Sequence, residues 1–282
     1  MRIAVLGARG QLGAAVVEMC AARHDVIAFD RTALDLTDDA AVATTINRAR
    51  PEVIINCSGY NAVDAAEDHP VDALQVNAFA VRSLARAARD VNATLVHYSS
   101  DFVFDGSAST PMTEDHAPNP RGVYATSKLL GEWLAADAPV SYVLRVESLF
   151  GAARGSRAKG SVESILEGLQ AGRVVRVFGD RTVSPTYVVD AARATLALLE
   201  RQAAPGLYHC VNSGAGTWLD VASEAACVLG VQPRFDVVSL ADVVLPAVRP
   251  QYCAMSNAKL AAIGIGMPSW QDALARHVTR RV

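Results

Sequence analysis

Short apolar runs alternate with longer helical segments through the first half of this chain, and this alternation restricts its fold more than any other feature. The runs are rich in β-branched residues and predict strands at 2–6, 26–29, 53–56, 94–98 and 142–146. Helical periodicity is present between them, at 12–23, 39–48, 71–91 and 124–136. Strands joined by helices form parallel sheets with right-handed crossovers. The pattern therefore predicts an α/β fold with a doubly wound parallel sheet of the Rossmann type.

The pattern changes after Gly151. Helices are predicted at 162–170, 190–201 and 219–229, and strands near 174–177 and 206–211. Fewer strands mixed with helices indicate a smaller α/β lobe. We therefore expect residues 1–150 to form the first domain and residues 151–282 a smaller mixed α/β C-terminal lobe. Some elements of that lobe are expected to return to the first sheet.

Composition and charge exclude several classes of protein. Hydrophobic residues make up 51% of the chain and charged residues 20%, with a formal net charge of -3. These values predict a folded core and disfavour nucleic acid as a partner. The apolar run at 3–6 is too short for a signal segment or a membrane span, so we expect no membrane association.

The cysteines also bear on the compartment and on metal binding. There are five of them, an odd number, and none forms a CxxC pair. Neither a disulfide framework nor a zinc site is therefore expected, and no cluster of carboxylates requires a metal. A reduced, cytoplasmic location fits this pattern best.

A glycine-rich segment, 7–13, follows the first predicted strand and opens the first predicted helix. Glycines there permit a tight turn, let backbone N–H groups approach a pyrophosphate and allow helix and sheet to pack closely. The spacing is GxxGxxG rather than GxGxxG, so an ordinary strand-to-helix turn is the competing interpretation. The cofactor contacts expected in this segment are Gly7, Arg9, Gly10, Gln11, Leu12 and Gly13.

The identity of the cofactor depends on the end of the second strand. Asp30 can accept hydrogen bonds from an adenosine ribose. Its carboxylate would repel a 2′-phosphate by about 4 kcal/mol at ~4 Å and an effective dielectric of ~20. Arg9 or Arg31 could offset this repulsion or be ordinary surface residues, so NADH and NADPH both stay open. Further cofactor contacts are expected at Asp35, Leu36, Cys57, Ser58, Gly59, Asn77 and Ser99. For Asn77, the alternative is an amide on a helix surface.

Tyr124 and Lys128 lie four residues apart at the start of a predicted helix and therefore share one face. Carbonyl reduction needs a proton donor, and a phenol with a pKa of about 10 is a slow one near neutrality. An ammonium at ~4 Å provides roughly 4 kcal/mol at an effective dielectric of ~20, enough to lower that pKa by 2 to 3 units. We therefore predict that Lys128 lowers the pKa of Tyr124. The competing interpretation is an ordinary pair on a helix surface.

Ser100 follows the fourth predicted strand, where side chains point toward the ligand crevice of such a sheet. With Tyr124, it could hydrogen-bond a substrate carbonyl and stabilise the developing oxyanion. A serine that caps the following turn is the alternative. Ser100, Tyr124 and Lys128 are thus the predicted catalytic residues, and Tyr124 and Lys128 are also expected to contact the cofactor.

Together these stretches resemble the extended short-chain dehydrogenase/reductase superfamily and, more narrowly, the dTDP-4-dehydrorhamnose reductase family. The resemblance runs nearly end to end. It is carried by 7–13, 62–67, 99–106, 124–128, Gly131-Glu132, 184–186, 206–209, Trp218, Arg249-Pro250, Lys259-Leu260 and 268–270. It implies a Rossmann-type domain that binds NADPH or NADH, catalysis by Ser100, Tyr124 and Lys128, and a C-terminal lobe that holds a nucleotide-sugar.

The resemblance also assigns the substrate contacts, to Ser100, Asp101, Phe102, Ser148 and Arg249. Two of these depart from the family pattern, which usually has a hydroxylated aromatic at Phe102 and commonly a tryptophan at Ser148. Losing one hydrogen bond (~1 kcal/mol) and the contacts of a buried aromatic (~1.5 to 3 kcal/mol) changes substrate preference about 100-fold. The chemistry can thus be kept while the substrate differs.

The favoured function is reduction of the keto group of dTDP-4-dehydrorhamnose or a related dTDP-4-keto-6-deoxy sugar, in deoxysugar biosynthesis. Three alternatives stay open. One is a nucleotide-sugar epimerase or dehydratase that recycles tightly held NAD, and another is a reductase of other bulky ketones. The third is a non-catalytic subunit like the regulatory subunit of methionine adenosyltransferase. A small-molecule substrate is expected in the enzymatic cases, and a homodimer is an open alternative to a monomer.

Overall fold

The computed structural model describes residues 1–153 and 160–281. The strands are β1 (Arg2–Leu6), β2 (Asp25–Phe29), β3 (Val53–Asn56), β4 (Thr94–Ser100), β5 (Val140–Val146), β6 (Leu149–Phe150), β7 (Val175–Phe178), β8 (Thr182–Val183), β9 (Thr186–Tyr187), β10 (Gly206–His209), β11 (Gly216–Thr217) and β12 (Phe235–Val238). The helices are α1 (Gln11–Ala21), α2 (Asp39–Ala49), α3 (Ala65–Asp68), α4 (Pro70–Leu74), α5 (Ala80–Val91), α6 (Val123–Ala135), α7 (Ser161–Gln170), α8 (Val188–Glu200), α9 (Trp218–Leu229), α10 (Ala258–Ala262) and α11 (Trp270–Arg281).

Six strands form one parallel sheet in the order β10-β5-β4-β3-β1-β2. Alternate side chains of β1 enter separate cores, with Ile3 and Val5 on one face and Ala4 and Leu6 on the other. Helices α1 and α8 cover the first face, and α2 and α5 cover the second. A strand buried on both faces needs a continuous apolar run. The predicted doubly wound parallel sheet is confirmed.

Two predicted boundaries were wrong, both near the site. Strand β4 continues past residue 98 because Ser99 and Ser100 pair with Arg145 and Val146 of β5. The single helix predicted at 71–91 is instead α4, a π turn at Gln75–Phe79, and α5. Such π turns often occur at functional sites.

The second half of the chain divides between two structures. Strand β10 pairs with β5 at the edge of the central sheet. The strand predicted at 174–177 is β7, which pairs in parallel with β12 in a separate small sheet. Helices α7 and α9 pack on each other beside β7. In the described part of the chain, no helix combines the length and apolar character that a membrane crossing requires.

A buried histidine on β10 predicts acid sensitivity. Burial, with the nearby Arg145 guanidinium, lowers the pKa of His209 to about 3. Between that value and the unfolded pKa near 6.5, the unfolded chain binds more protons, so stability falls as pH falls. From pH 7 to pH 5, we expect His209 to cost about 2 kcal/mol of unfolding free energy. Urea unfolding at both pH values measures this.

The variant His209→Gln isolates that contribution, since an amide can still donate to the Met112 carbonyl, which lies 3.1 Å from Nδ1. Its stability should change less between pH 7 and pH 5 than that of the wild type. Equal pH dependence in the two proteins would contradict the assignment. His24→Gln, at an exposed surface hydrogen bond to Glu200, is the matched control.

Candidate active site

The glycine-rich segment forms a tight turn between β1 and α1. Gly7 has a φ of +72°, and its carbonyl accepts a hydrogen bond from Gly10 N at 2.9 Å. Helix α1 begins at Gln11, and no side chain caps its N-terminus. Uncapped N–H groups at a helix start favour an anion. A Cβ on Gly13 would lie 2.2 Å from the Gly7 carbonyl oxygen, so a side chain there is excluded.

A cleft of about 480 Å³, called the first cleft below, opens where β1, β2 and β3 end. Ligands of parallel α/β sheets bind at this edge. Ten of the predicted cofactor contacts line it: Gly7, Arg9, Gly10, Asp30, Arg31, Asp35, Leu36, Cys57, Ser58 and Gly59. Its wall also includes Tyr60, which was expected to line the cofactor together with Cys57, Ser58 and Gly59. The sequence analysis missed five further lining residues, Thr32, Leu34, Thr37, Asn61 and Val76. Of these, Asn61 could have been found, since it follows the end of β3.

Seven predicted cofactor contacts do not line the first cleft. Three of these support its loop, Gln11, Leu12 and Gly13, and the other four are Asn77, Ser99, Tyr124 and Lys128. Gln11 Nε2 donates to the Gly151 carbonyl at 2.7 Å and ties the loop to the second half of the chain. Leu12 is buried in the core, and Gly13 packs against Gly7.

Asp30 has both carboxylate oxygens engaged. Oδ1 accepts hydrogen bonds from Thr32 N, Thr32 Oγ1 and Ala33 N, and Oδ2 pairs with Arg9 Nε at 2.7 Å. The Thr32 hydrogen bond, the turn amides and Arg9 lower the pKa of Asp30. The Arg9 side chain is 83% exposed at the rim, so it can reach a bound phosphate as well as Asp30.

The structure brings the three predicted catalytic residues together at the ends of β4 and α6. Tyr124 and Lys128 are both buried, one turn apart on α6. Lys128 Nζ donates to the Tyr98 carbonyl of β4 at 2.5 Å. Ser100 lies close enough to the Tyr124 phenol to lower its pKa. The Ser100 Oγ also donates to Asp101 Oδ1 at 2.8 Å.

The predicted lowering of the Tyr124 pKa was wrong for this structure. Burial raises the pKa of Tyr124 to about 12, Asp101 adds to the rise, and the Ser100 hydrogen bond partly offsets it. Burial also lowers the pKa of Lys128 to about 8, against an opposing effect of Glu132. Removal from water therefore dominates the pKa of both groups, and Lys128 is directed at the Tyr98 carbonyl.

Asn77 is buried rather than a surface amide, and it joins two parts of the site. Its Oδ1 accepts from Tyr60 N at 2.8 Å, and its Nδ2 donates to the Ser127 hydroxyl at 2.9 Å. The π turn thus ties the loop after β3 to the helix that carries Tyr124. Ser99 is buried, and its hydroxyl has no hydrogen-bond partner among the described residues.

Two of the predicted substrate contacts meet beside Tyr124. The Phe102 ring lies edge-on to the Tyr124 ring with centroids 5.4 Å apart. The guanidinium of Arg249 lies 5.9 Å from the Phe102 ring and pairs with Asp64 at 2.8 Å. Arg181, which the sequence analysis missed, lies 5.7 Å from the same ring. A guanidinium over the face of an aromatic ring is attracted to the ring.

Ser148 adopts a left-handed backbone conformation, with φ of +43°, between β5 and β6. Non-glycine residues in this region are uncommon and cluster at functional sites.

Asp101, the remaining predicted substrate contact, belongs to a buried cluster with Glu147, Cys253 and Arg181. One ligand atom from each of the first three lies within 4.8 Å of the others. The Glu147 Oε2 accepts from Ser184 N at 2.6 Å. Nothing in the sequence around Glu147 identifies it as a residue of the site, because its position depends on packing between β5 and the second half of the chain.

A second cleft, of about 620 Å³, lies between α7 and β7. Its wall contains Arg173, Arg176, Arg181 and Trp218 among apolar residues. Guanidiniums match phosphate geometry, and an indole can stack on a base. Arg181 also lies over Phe102, so this cleft adjoins the catalytic residues.

A parallel sheet with a glycine loop at β1, together with a serine, tyrosine and lysine at β4 and α6, defines a nicotinamide-dependent reductase. The family model described as RmlD substrate binding domain matches residues 1–282. The chain belongs to this family. Its relatives include a dTDP-4-dehydrorhamnose reductase from Streptomyces griseus that is 34% identical. The similarity covers 96% of this chain and 90% of that protein.

Two further comparisons bear on substrate and cofactor. A probable dTDP-4,6-dihydroxy-2-methyloxan-3-one 4-ketoreductase from Streptomyces antibioticus is 34% identical, covering 97% of this chain and 93% of that protein. The crystal structure of dTDP-4-dehydrorhamnose reductase from Bacillus anthracis in complex with NADP has a TM-score of 0.93 and 29% identity, covering 99% of each chain.

Proposed function

We propose that this protein reduces the keto group of dTDP-4-dehydrorhamnose or a closely related dTDP-4-keto-6-deoxy sugar, with NADPH or NADH as hydride donor. The pairing of Ser100 with Tyr124 carries the proposal. Tyr60, which lines the first cleft, packs in the same cluster as Tyr124. A nicotinamide cofactor in that cleft would supply the hydride. The relatives named above favour a dTDP-sugar as the ketone.

The proposed roles follow from the position of each side chain. Tyr124 donates a proton to the carbonyl oxygen as the carbonyl carbon is reduced, and Ser100 holds that oxygen in place. The ammonium of Lys128, fixed by the Tyr98 carbonyl, keeps a positive charge near the phenol and is placed to bind a ribose hydroxyl. Burial of these groups excludes water from the reacting carbonyl.

The second cleft supports a nucleotide-sugar as the substrate. Arg173, Arg176 and Arg181 can bind a diphosphate, and Trp218 can stack on the base. On this proposal, residues 1–150 act as the dinucleotide-binding domain and residues 151–282 as the substrate lobe, with β10 contributed to the first sheet. Phe102 and Ser148 then contact the sugar, where their small or apolar side chains favour a less hydroxylated ring.

A substrate panel tests the proposal. Purified protein is mixed with NADPH or NADH and with dTDP-, UDP- and GDP-4-keto-6-deoxy sugars, and cofactor absorbance is followed. Loss of absorbance with a dTDP ketone, at least tenfold faster than with its UDP counterpart, is the expected result. Product formed without net cofactor consumption would indicate an epimerase instead. No reaction with any ketone would contradict the proposal.

Cofactor preference is predicted to depend on Asp30. Asp30→Ser removes the charge that repels a 2′-phosphate and frees Arg9 to bind it, so preference for NADPH over NADH should rise at least about tenfold. The ratio of kcat/KM values measures this. Asp25→Ser, at the opposite end of β2, is the matched control and should leave the ratio unchanged. A ratio unmoved by Asp30→Ser would contradict the role of Asp30.

We also propose a reducing, cytoplasmic location and a homodimer. All five cysteines are free, which fits a reducing compartment. Trp133 on α6 and Phe79 on the π turn that packs against α6 are 62% and 42% exposed, and exposed aromatics favour a subunit contact. Light scattering of the wild type and of Trp133→Glu tests the dimer.

A further inference from the structure

The buried cluster of Asp101, Glu147, Cys253 and Arg181 contains more acid than it can hold in ionised form. Asp101 is 3% exposed and Glu147 1% exposed. Among the described residues, Asp101 Oδ2 and Glu147 Oε1 have no hydrogen-bond partner. The two carboxyls and the Cys253 sulfur place atoms within 4.8 Å of one another. Two carboxylates this close cannot both ionise readily in a low dielectric.

The surrounding charges indicate that one proton is retained. Burial raises the pKa of Asp101, and burial followed by the charge of Asp101 raises that of Glu147 well above its usual range. Arg181 offsets part of each rise. The pKa of Cys253 is raised well above its usual range by burial, so its thiol is neutral. One guanidinium therefore balances one carboxylate, and the other carboxyl keeps its proton.

Two phenols complete the surroundings of the pair. The pKa of Tyr252 is raised by burial and by Glu147, so this phenol is neutral. Tyr124 is neutral for the same physical reason. Arg181 already supplies the positive charge that a metal ion would supply, which favours a proton over a cation between the carboxyls.

The pair is connected to the proposed proton donor by one hydroxyl. Ser100 Oγ donates to Asp101 Oδ1 at 2.8 Å and lies close enough to the Tyr124 phenol to lower its pKa. We propose that Asp101 and Glu147 together retain one proton, which passes from Asp101 through Ser100 to Tyr124 once Tyr124 has protonated the substrate oxygen. This inference rests on the proposed function. It gives Glu147 a positioning role, because Glu147 acts on Tyr124 only through Asp101 and Ser100.

The step balances in protons and electrons. Hydride from the nicotinamide reduces the carbonyl carbon, and the Tyr124 O–H bond breaks as the alcohol O–H bond forms. The phenolate then takes the Ser100 proton, and Ser100 takes the proton of the carboxyl pair. The pair is left with two negative charges beside Arg181 and recovers one proton from solvent after the alcohol has formed.

Infrared spectroscopy tests the shared proton without any substrate. At pH 7 the wild type should show a carboxylic acid band that shifts in D₂O, and both Glu147→Gln and Asp101→Asn should lose it. Asp190→Asn is the matched control, since Asp190 is buried but ion-paired with Arg276 and Arg193. This control should keep the band. A wild type without the band, or either pair variant retaining it, would overturn the proposal.

Proton uptake during a single turnover tests the relay. With enzyme in excess over the dTDP ketone and a pH indicator in weak buffer, uptake by the wild type should lag behind the fall in NADPH absorbance. In Glu147→Gln the lag should be lost, and uptake should follow hydride transfer directly. Simultaneous uptake and hydride transfer in the wild type would overturn the relay. If no ketone is reduced, the proposed function fails, while the infrared result still decides the shared proton.

Discussion

Replacing Tyr124 with phenylalanine should lower kcat by about 10²- to 10⁴-fold, the contribution that a positioned general acid makes. The change removes the phenolic proton and keeps the ring that packs edge-on against Phe102 at 5.4 Å. Without that donor, the developing oxyanion keeps only its hydrogen bond to Ser100. Initial rates of cofactor oxidation with the preferred dTDP ketone measure the loss.

Binding should survive this substitution. Because the phenol acts in the transition state, the dissociation constants for cofactor and ketone should change by less than about threefold while kcat falls. Tyr208→Phe is the matched control, since it removes a buried hydroxyl that donates to the Ala204 carbonyl at 2.7 Å, on strand β10. A Tyr124→Phe enzyme with kcat near that of Tyr208→Phe would refute the assignment of the proton donor.

Gly13→Ala should cost about 3 kcal/mol of unfolding free energy, at the upper end of the usual overpacking range. The added Cβ would lie 2.2 Å from the Gly7 carbonyl oxygen and 2.8 Å from its carbon. These are backbone atoms, so the conflict can be relieved only by moving α1 away from β1. An alanine in a helix is otherwise favoured over glycine by ~1 kcal/mol. A loss of unfolding free energy in Gly13→Ala, rather than a gain, therefore shows that the helix approaches the Gly7 backbone too closely for a side chain.

We expect Gly13→Ala to weaken cofactor binding as well as to lower the unfolding free energy. Moving α1 displaces the turn at Gly7 and Gly10, whose N–H groups are placed for the pyrophosphate, and we expect at least tenfold weaker NADPH binding. Urea unfolding and NADPH fluorescence titration measure the two effects. Gly266→Ala, where a Cβ meets nothing within 4 Å, is the control. Equal stability of the two variants would rule out the packing constraint.

The local sequence pattern was sufficient to predict the parallel sheet, the glycine turn after β1 and the shared helix face of Tyr124 and Lys128. Strand β1 is covered on both faces, so its consecutive residues are all apolar. Its burial can therefore be predicted from the sequence. Residues four apart on a helix share a face in any fold, so the juxtaposition of Tyr124 and Lys128 follows from their spacing.

Other features depend on which distant residues the fold brings together. The sequence led to a lowered pKa for Tyr124, whereas burial of the phenol and the charge of Asp101 raise it. Burial depends on packing and has no short sequence signal. Likewise, nothing in the segment around Asn77 predicts a π turn, because its amide is satisfied by Tyr60 and Ser127 from other elements.

The chain's own periodicity and spacing therefore specify its fold class, its glycine turn and its tyrosine–lysine pair, because each depends on neighbours within a few residues. The environment of that pair depends on tertiary packing. Asp101, Glu147 and Arg181 come from three separate parts of the chain, and only the closed fold places two buried carboxyl groups beside one guanidinium. Electrostatic effects between such groups depend on distance in space and on burial, and neither can be read from position along a sequence.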